Sequence, residues 1–164
     1  VLQQAEFAAA LLTAARAEGI HTALETTGFA PAERFLELAE QADLLLYDFK
    51  HYDSRIHQEG TGVPNDIILS NLGLAVSRGL AVIARIPVIS GFNSALADAR
   101  GMADALRDRG VSTVHLLPFH QMGESKYQRM KVPYRMAGCA QLHADMLADY
   151  QDVFLKQGFD CSFQ

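Results

Sequence analysis

Four short apolar runs, at residues 20–26, 43–50, 80–88 and 111–119, alternate with segments of helical periodicity, and this alternation constrains the fold more than any other feature of the sequence. The helical segments cover residues 1–18, 32–41, 66–78, 94–109 and 141–157. Each is long enough to cross back over a parallel sheet, so the pattern reads as consecutive βα units and an α/β fold. Residues 159–163 read as a further short strand. Punctuation agrees with this division: Gly19, Gly79, Gly110 and Gly158 stand where helices stop, and Pro31 opens the helix at 32–41. In the first helix Phe7, Leu11, Ala14 and Ala15 share one apolar face, the side a helix ordinarily buries. The run Leu44-Leu45-Leu46-Tyr47 is continuous, as in a strand buried on both faces. Residues 51–66, with Gly60, Gly62, Pro64 and Asn65, and residues 120–140, with Pro133, read as loops.

An open doubly wound sheet and a barrel of βα units share this periodicity. The position of the polar residues separates them. Glu25-Thr26-Thr27-Gly28, Asp48-Phe49-Lys50, Arg85 and His120 all lie in or just after strand ends, as in barrels whose C-terminal strand ends build one shared site. A doubly wound sheet would carry a phosphate-binding glycine cluster after its first strand, and none occurs. The expectation is a partial (βα) barrel with about four parallel main strands.

Asp48 and Lys50 are two apart on a strand and so face the same way, which lets them share a ligand or form an ion pair with each other. Glu25 ends the preceding strand, close to Asp48 if consecutive strands pair, and two adjacent carboxylates repel unless a cation or a shared proton lies between them. Arg85 interrupts an otherwise apolar strand, where its permanent charge needs an anion. His120 is placed to hydrogen-bond or stack on a ligand at the barrel mouth. His21, His57, His115 and His143 lack metal-ligand spacing, and Ser70, Ser90 and Ser125 lack the context of a nucleophile elbow.

The bulk numbers exclude other classes. With a net charge of −5 and 14 scattered basic residues among 164, the chain lacks the clustered Lys and Arg of a nucleic-acid groove or an anionic-membrane binder. No apolar run reaches the roughly 18 to 20 residues of a spanning helix, and a cytoplasmic protein is expected. Cys139 and Cys161, the two cysteines, cannot form a four-cysteine metal site. The opening Val1-Leu2-Gln3-Gln4 has no initiator Met and no cap before the helical pattern, which predicts further sequence upstream.

Five motifs in order resemble one family: Glu25-Thr26-Thr27-Gly28; Asp48-Phe49-Lys50-His51; His57-x-x-x-Thr61-Gly62-x-x-Asn65; Arg85-Ile86-Pro87-Val88-Ile89-x-Gly91-Phe92-Asn93; and Leu116-Leu117-Pro118-Phe119-His120-x-x-Gly123-x-x-Lys126-Tyr127. The family is that of pyruvate formate-lyase-activating enzyme and the other radical-SAM activases of glycyl-radical enzymes. The resemblance covers essentially the whole chain. It implies an incomplete (βα)6 barrel whose N-terminal strands are absent, so that residues 1–164 form the C-terminal part of a single core domain. It implies S-adenosylmethionine bound at a [4Fe–4S] cluster, reductive cleavage to a deoxyadenosyl radical, and hydrogen abstraction from a glycine of a partner enzyme. An electron donor such as flavodoxin or ferredoxin is implied as well.

By the same resemblance Asp48, Phe49, Lys50, Arg85 and His120 would bind S-adenosylmethionine, with Lys50 at its carboxylate and His120 at its adenosyl part. Glu25, Thr26 and Asp48 would hold a monovalent cation. The family's C-x-x-x-C-x-x-C loop and its Gly-Gly-Glu stretch do not occur in this sequence, which predicts that the chain alone is inactive. Two other readings remain open. Asp48-x-Lys50-x-x-Asp53 also resembles the signature of orotidine-phosphate decarboxylase-like barrels, and a cluster-less half barrel could serve as a partner-binding module without catalysis.

Overall fold

The computed structural model describes residues 1–121, 124–134, 136 and 138–164. After a 3-10 turn at Leu2–Gln4 the elements run α1 (Ala5–Ala17), β1 (Ala23–Thr26), α2 (Ala32–Ala39), β2 (Leu44–Asp48), α3 (Ser54–Thr61), α4 (Asp66–Ser77), β3 (Val82–Val88), α5 (Leu96–Arg107), β4 (Thr113–Pro118), α6 (Glu124–Met130), α7 (Ala148–Lys156) and β5 (Asp160–Phe163). The strands form one five-stranded sheet in the order β1-β2-β3-β4-β5, and every pairing is parallel. Among the described residues β1 has no partner on its outer side.

Four helix-to-strand connections are made in the same way. Gly19, Gly79, Gly110 and Gly158 have positive φ, and the residue after each donates its N–H back to a carbonyl five residues earlier: Ile20 to Ala15, Leu80 to Ala75, Val111 to Leu106 and Phe159 to Phe154. A left-handed residue at this point closes the last helical turn and sends the chain back toward the sheet.

Along each strand burial alternates. Leu24, Leu45, Tyr47, Ala84, Ile86, Val88, Val114, Leu116 and Cys161 are buried on one face. That face joins Phe35 and Leu38 of α2, Leu72 and Ala75 of α4, Met102 and Leu106 of α5, and Phe154 of α7 in a single core. Residues of the other parity, such as Leu44, Leu46, Asp48, Ile83 and Arg85, are only half-buried. The continuous apolar run of β2 is therefore covered on one side only, contrary to the expectation of burial on both.

Four further expectations are corrected. The segment 51–66 contains α3, because Asp53 caps it by accepting the N–H groups of Arg55 and Ile56, and Gly62 ends it in the left-handed conformation. Residues 120–140 contain α6, and the final helical stretch begins with a 3-10 turn at Ala144–Leu147 rather than at residue 141. The apolar face of α1 is reversed: Leu12 is its buried residue, while Phe7 and Leu11 are 68% and 60% exposed. Replacing both Phe7 and Leu11 by Lys is thus expected to change stability by less than about 1 kcal/mol. Leu12→Ala should cost about 2 to 4 kcal/mol, and urea unfolding of the two variants measures the order.

Candidate functional site

The uncovered face carries a row of alternating charge. Register places Asp48 of β2 opposite Arg85 of β3, and Arg85 opposite His115 of β4. The Arg85 guanidinium reaches across β2, with Nη1 2.6 Å from Glu25 Oε2 and Nε 3.8 Å from Asp48 Oδ1. The other Asp48 oxygen lies 3.3 Å from Lys50 Nζ. Arg85 cannot lose its charge, and with 19% of its side chain exposed it is held by two carboxylates. Arg85 thus places a positive charge of the protein between Glu25 and Asp48. Lys50 remains 31% exposed and has ammonium donors left after its contact with Asp48. Beside the row a cavity of about 400 Å³ is lined by Glu25, Thr26, Thr27, Phe29 and Asp48 together with the first three residues of the chain.

Buried amides hold the loops that frame this row. Asn71 Nδ2 donates to the carbonyls of Gly28 and Ala30 after β1. Asn65 Nδ2 donates to those of His51 and Tyr52, and Asn93 Nδ2 to those of Lys50 and Pro87. None of the three is more than 1% exposed. His51 is fully buried, stacked on Tyr52 and tilted against Phe92. Its Nδ1 accepts the Asp53 N–H, which leaves the proton on Nε2, 3.6 Å from Asp98 Oδ1. Sequence reasoning quoted Asn65 and Asn93 without a role and missed Asn71. The available signal was an amide inside an otherwise apolar helical stretch.

The remaining candidates fall elsewhere. Phe49 is fully buried with its side chain away from the row, and its N–H donates to the Arg85 carbonyl. Thr26 points to the face opposite Glu25, where its hydroxyl accepts the Gly28 N–H, so the side chains of Glu25, Thr26 and Asp48 do not converge. His120 is exposed beyond the end of β4; the amide before it donates to Val88. Asp53 is occupied as the cap of α3, and the decarboxylase-like pattern thereby loses its second carboxylate. Gly123 and the side chain of Lys126 lie outside the described residues.

The donor set fits S-adenosylmethionine, a zwitterion with an added sulfonium, since cationic and anionic groups alternate within one open row. It does not fit an iron–sulfur cluster. Cys161 lies on the covered face, where burial pushes its thiol up to about 12, and Cys139 belongs to a separate loop. Among the described residues no three His, Cys, Asp or Glu side chains are grouped to hold a metal. No helix among them is long and apolar enough to cross a membrane.

No family model matches the chain. In fold it is similar to a domain of pyruvate-formate lyase-activating enzyme from Bacteroides vulgatus, with a TM-score of 0.82, 25% identity, and coverage of 99% of this chain and 92% of that one. A radical SAM methyltransferase from Sphaerobacter thermophilus shares the fold at a TM-score of 0.67 and 15% identity, over 90% of this chain and 42% of that one. The fold is that of part of a (βα) barrel, shared with the pyruvate-formate lyase-activating enzyme domain over nearly its whole length.

The sequence is 41% identical to the choline trimethylamine-lyase activating enzyme of Oleidesulfovibrio alaskensis over 84% of this chain and 46% of that protein. It is 37% identical to the (2S)-3-sulfopropanediol dehydratase activating enzyme of Klebsiella oxytoca, over 98% and 52%. With the pyruvate formate-lyase 2-activating enzyme of Escherichia coli it shares 39%, over 83% and 47%. The chain belongs to the family of glycyl-radical-enzyme activating enzymes, and it spans about half the length of the curated relatives it matches.

Burial holds the His51 pKa below its ordinary 6.5, outweighing the Asp98 and Asp53 carboxylates that raise it. The unfolded chain takes up this proton near that value, while the folded chain resists it to lower pH. Stability from this group is complete above pH 6.5 and is lost as pH falls below it, until the folded pKa is passed. Urea unfolding at about pH 8 and about pH 5.5 should show a smaller difference for His51→Asn than for the unaltered protein.

Proposed function

We propose that the chain is the S-adenosylmethionine-binding part of a cytoplasmic glycyl-radical-enzyme activase, with residues 1–164 acting as the C-terminal part of one core domain. The observation that carries this reading is the row Glu25, Arg85, Asp48 and Lys50 on the uncovered sheet face. Reductive cleavage of S-adenosylmethionine at a [4Fe–4S] cluster supplies the hydrogen-abstracting chemistry, with a donor such as flavodoxin or ferredoxin providing the electron and a glycine of the partner enzyme giving up the hydrogen atom.

This chain's residues bind and orient. Lys50, partnered on one side by Asp48, directs its free donors to the ligand carboxylate. Asp48 and Glu25 draw the ligand's ammonium and sulfonium toward the row, and Arg85 keeps the two carboxylates from repelling each other when the ligand is away. Leu46 and Ile83 flank the row on the same face and give the ligand an apolar floor. His120 closes the C-terminal side against the adenosyl part. Cluster ligation is assigned to no residue of this chain.

In the full-length enzyme Lys50→Ala is expected to weaken S-adenosylmethionine binding about 10- to 150-fold, the loss of one charge-assisted contact. The melting temperature should change little. Unchanged affinity in a folded, cluster-loaded variant would refute the assignment. For residues 1–164 alone, anaerobic reconstitution with iron and sulfide should yield no stoichiometric [4Fe–4S] absorbance. A cluster that forms and disappears in Cys139→Ser or Cys161→Ser would reverse that conclusion.

A further inference from the structure

The β2–β3 ladder runs out just below Lys50. Its last register pair is Asp48 with Arg85, followed by the Phe49 N–H donating to the Arg85 carbonyl at 2.8 Å. One residue further, the carbonyls of Lys50 and Pro87 are joined through Asn93 instead. Its Nδ2 lies 2.9 Å from Lys50 O and 2.8 Å from Pro87 O, and its Oδ1 accepts the Ile89 N–H at 2.7 Å. Two carbonyl oxygens offer no donor to each other, so an amide with two N–H groups is what can link them. Only one orientation of the carboxamide satisfies all three bonds. The backbone of Asn93 is held in turn from α7, where the buried Tyr150 hydroxyl donates to Asn93 O at 3.0 Å.

Asn65 does a similar job on the next two carbonyls, with a different consequence. His51 and Tyr52, which it holds, stack together in the aromatic group with Phe92. Asn93 holds the residue whose side chain enters the charged row. Resting on the site reading above, we infer that Asn93 is a positioning residue for the cofactor: its carboxamide adds one rung to the β2–β3 ladder and so fixes the direction in which Lys50 leaves β2, with Tyr150 as its brace.

A double-variant cycle on S-adenosylmethionine dissociation constants in the cluster-loaded full-length activase tests this, with melting temperatures measured alongside. Asn93→Ala should weaken binding about 5- to 20-fold when Lys50 is present and less than about twofold in the Lys50→Ala background. Asn65→Ala, a comparable loss of buried hydrogen bonds, should lower the melting temperature and leave affinity within about twofold. Losses that multiply in the double variant, or an equal loss from Asn65→Ala, would mark Asn93 as merely structural and overturn the inference, as would unchanged affinity in Asn93→Ala. In those cases a weakened Lys50→Ala protein leaves the site reading standing; an unweakened one overturns both. Should Asn93→Ala not fold, Tyr150→Phe takes its place in the cycle. A weakening of about two- to fivefold that vanishes without Lys50 then supports the inference, and unchanged affinity overturns it.

Discussion

Everything at the site depends on a parallel sheet whose helices lie against one face. Side chains alternate along a strand, so each strand divides its residues between a covered face and an open one. In β3 the covered set, Ala84, Ile86 and Val88, is fully buried, while Arg85 between them meets the open side. A guanidinium sealed on both sides would carry a desolvation penalty of several kcal/mol that two carboxylates would have to offset. Left partly in water, Arg85 needs only the pairing that Glu25 and Asp48 provide. The ion pairs in turn keep the row assembled and its groups oriented.

The scaffold was legible in the sequence because its signals are local. Helix stops at glycine, helix lengths and apolar strand runs each depend on a few adjacent residues, and the resemblance tied the strand ends to one site. What was not legible depends on partners far along the chain. The link from Arg85 to Glu25 needs three strands in register, and nothing near residue 85 announces it. The helix α3 was hidden because Gly60, Gly62 and Pro64 outweighed the capping role of Asp53, which also belonged to a tempting catalytic pattern. The reversal of α1 has a similar origin: Ala-rich sequence offers two apolar faces, and only the packing of Leu12 against the core chooses between them.

The buried amides show a second kind of information that periodicity does not carry. Asn65 and Asn71 each satisfy two main-chain carbonyls of a loop that follows a strand, and Asn93 links one such carbonyl, that of Lys50, to the carbonyl of Pro87 near the end of β3. Irregular backbone at a strand end has no ladder to join, and side-chain amides replace the missing donors. The loop after β1 is fixed more tightly still, because Gly28 packs against the Tyr47 hydroxyl with no room for a side chain. That hydroxyl donates to Ile68 of α4. Helix, strand and loop are thereby registered to one another through polar atoms inside an apolar core.

The strand order also bears on how the chain comes to be folded. Position in the sheet follows position in the sequence without exception, so each strand pairs with the one made just before it and none waits for a distant partner. Pairing only between successive strands keeps the loops that must be closed as short as a parallel sheet allows. The charged row inherits that locality: its ion pairs join Asp48 to Lys50 two residues on, Asp48 to Arg85 on the neighbouring strand, and Arg85 to Glu25 one strand further.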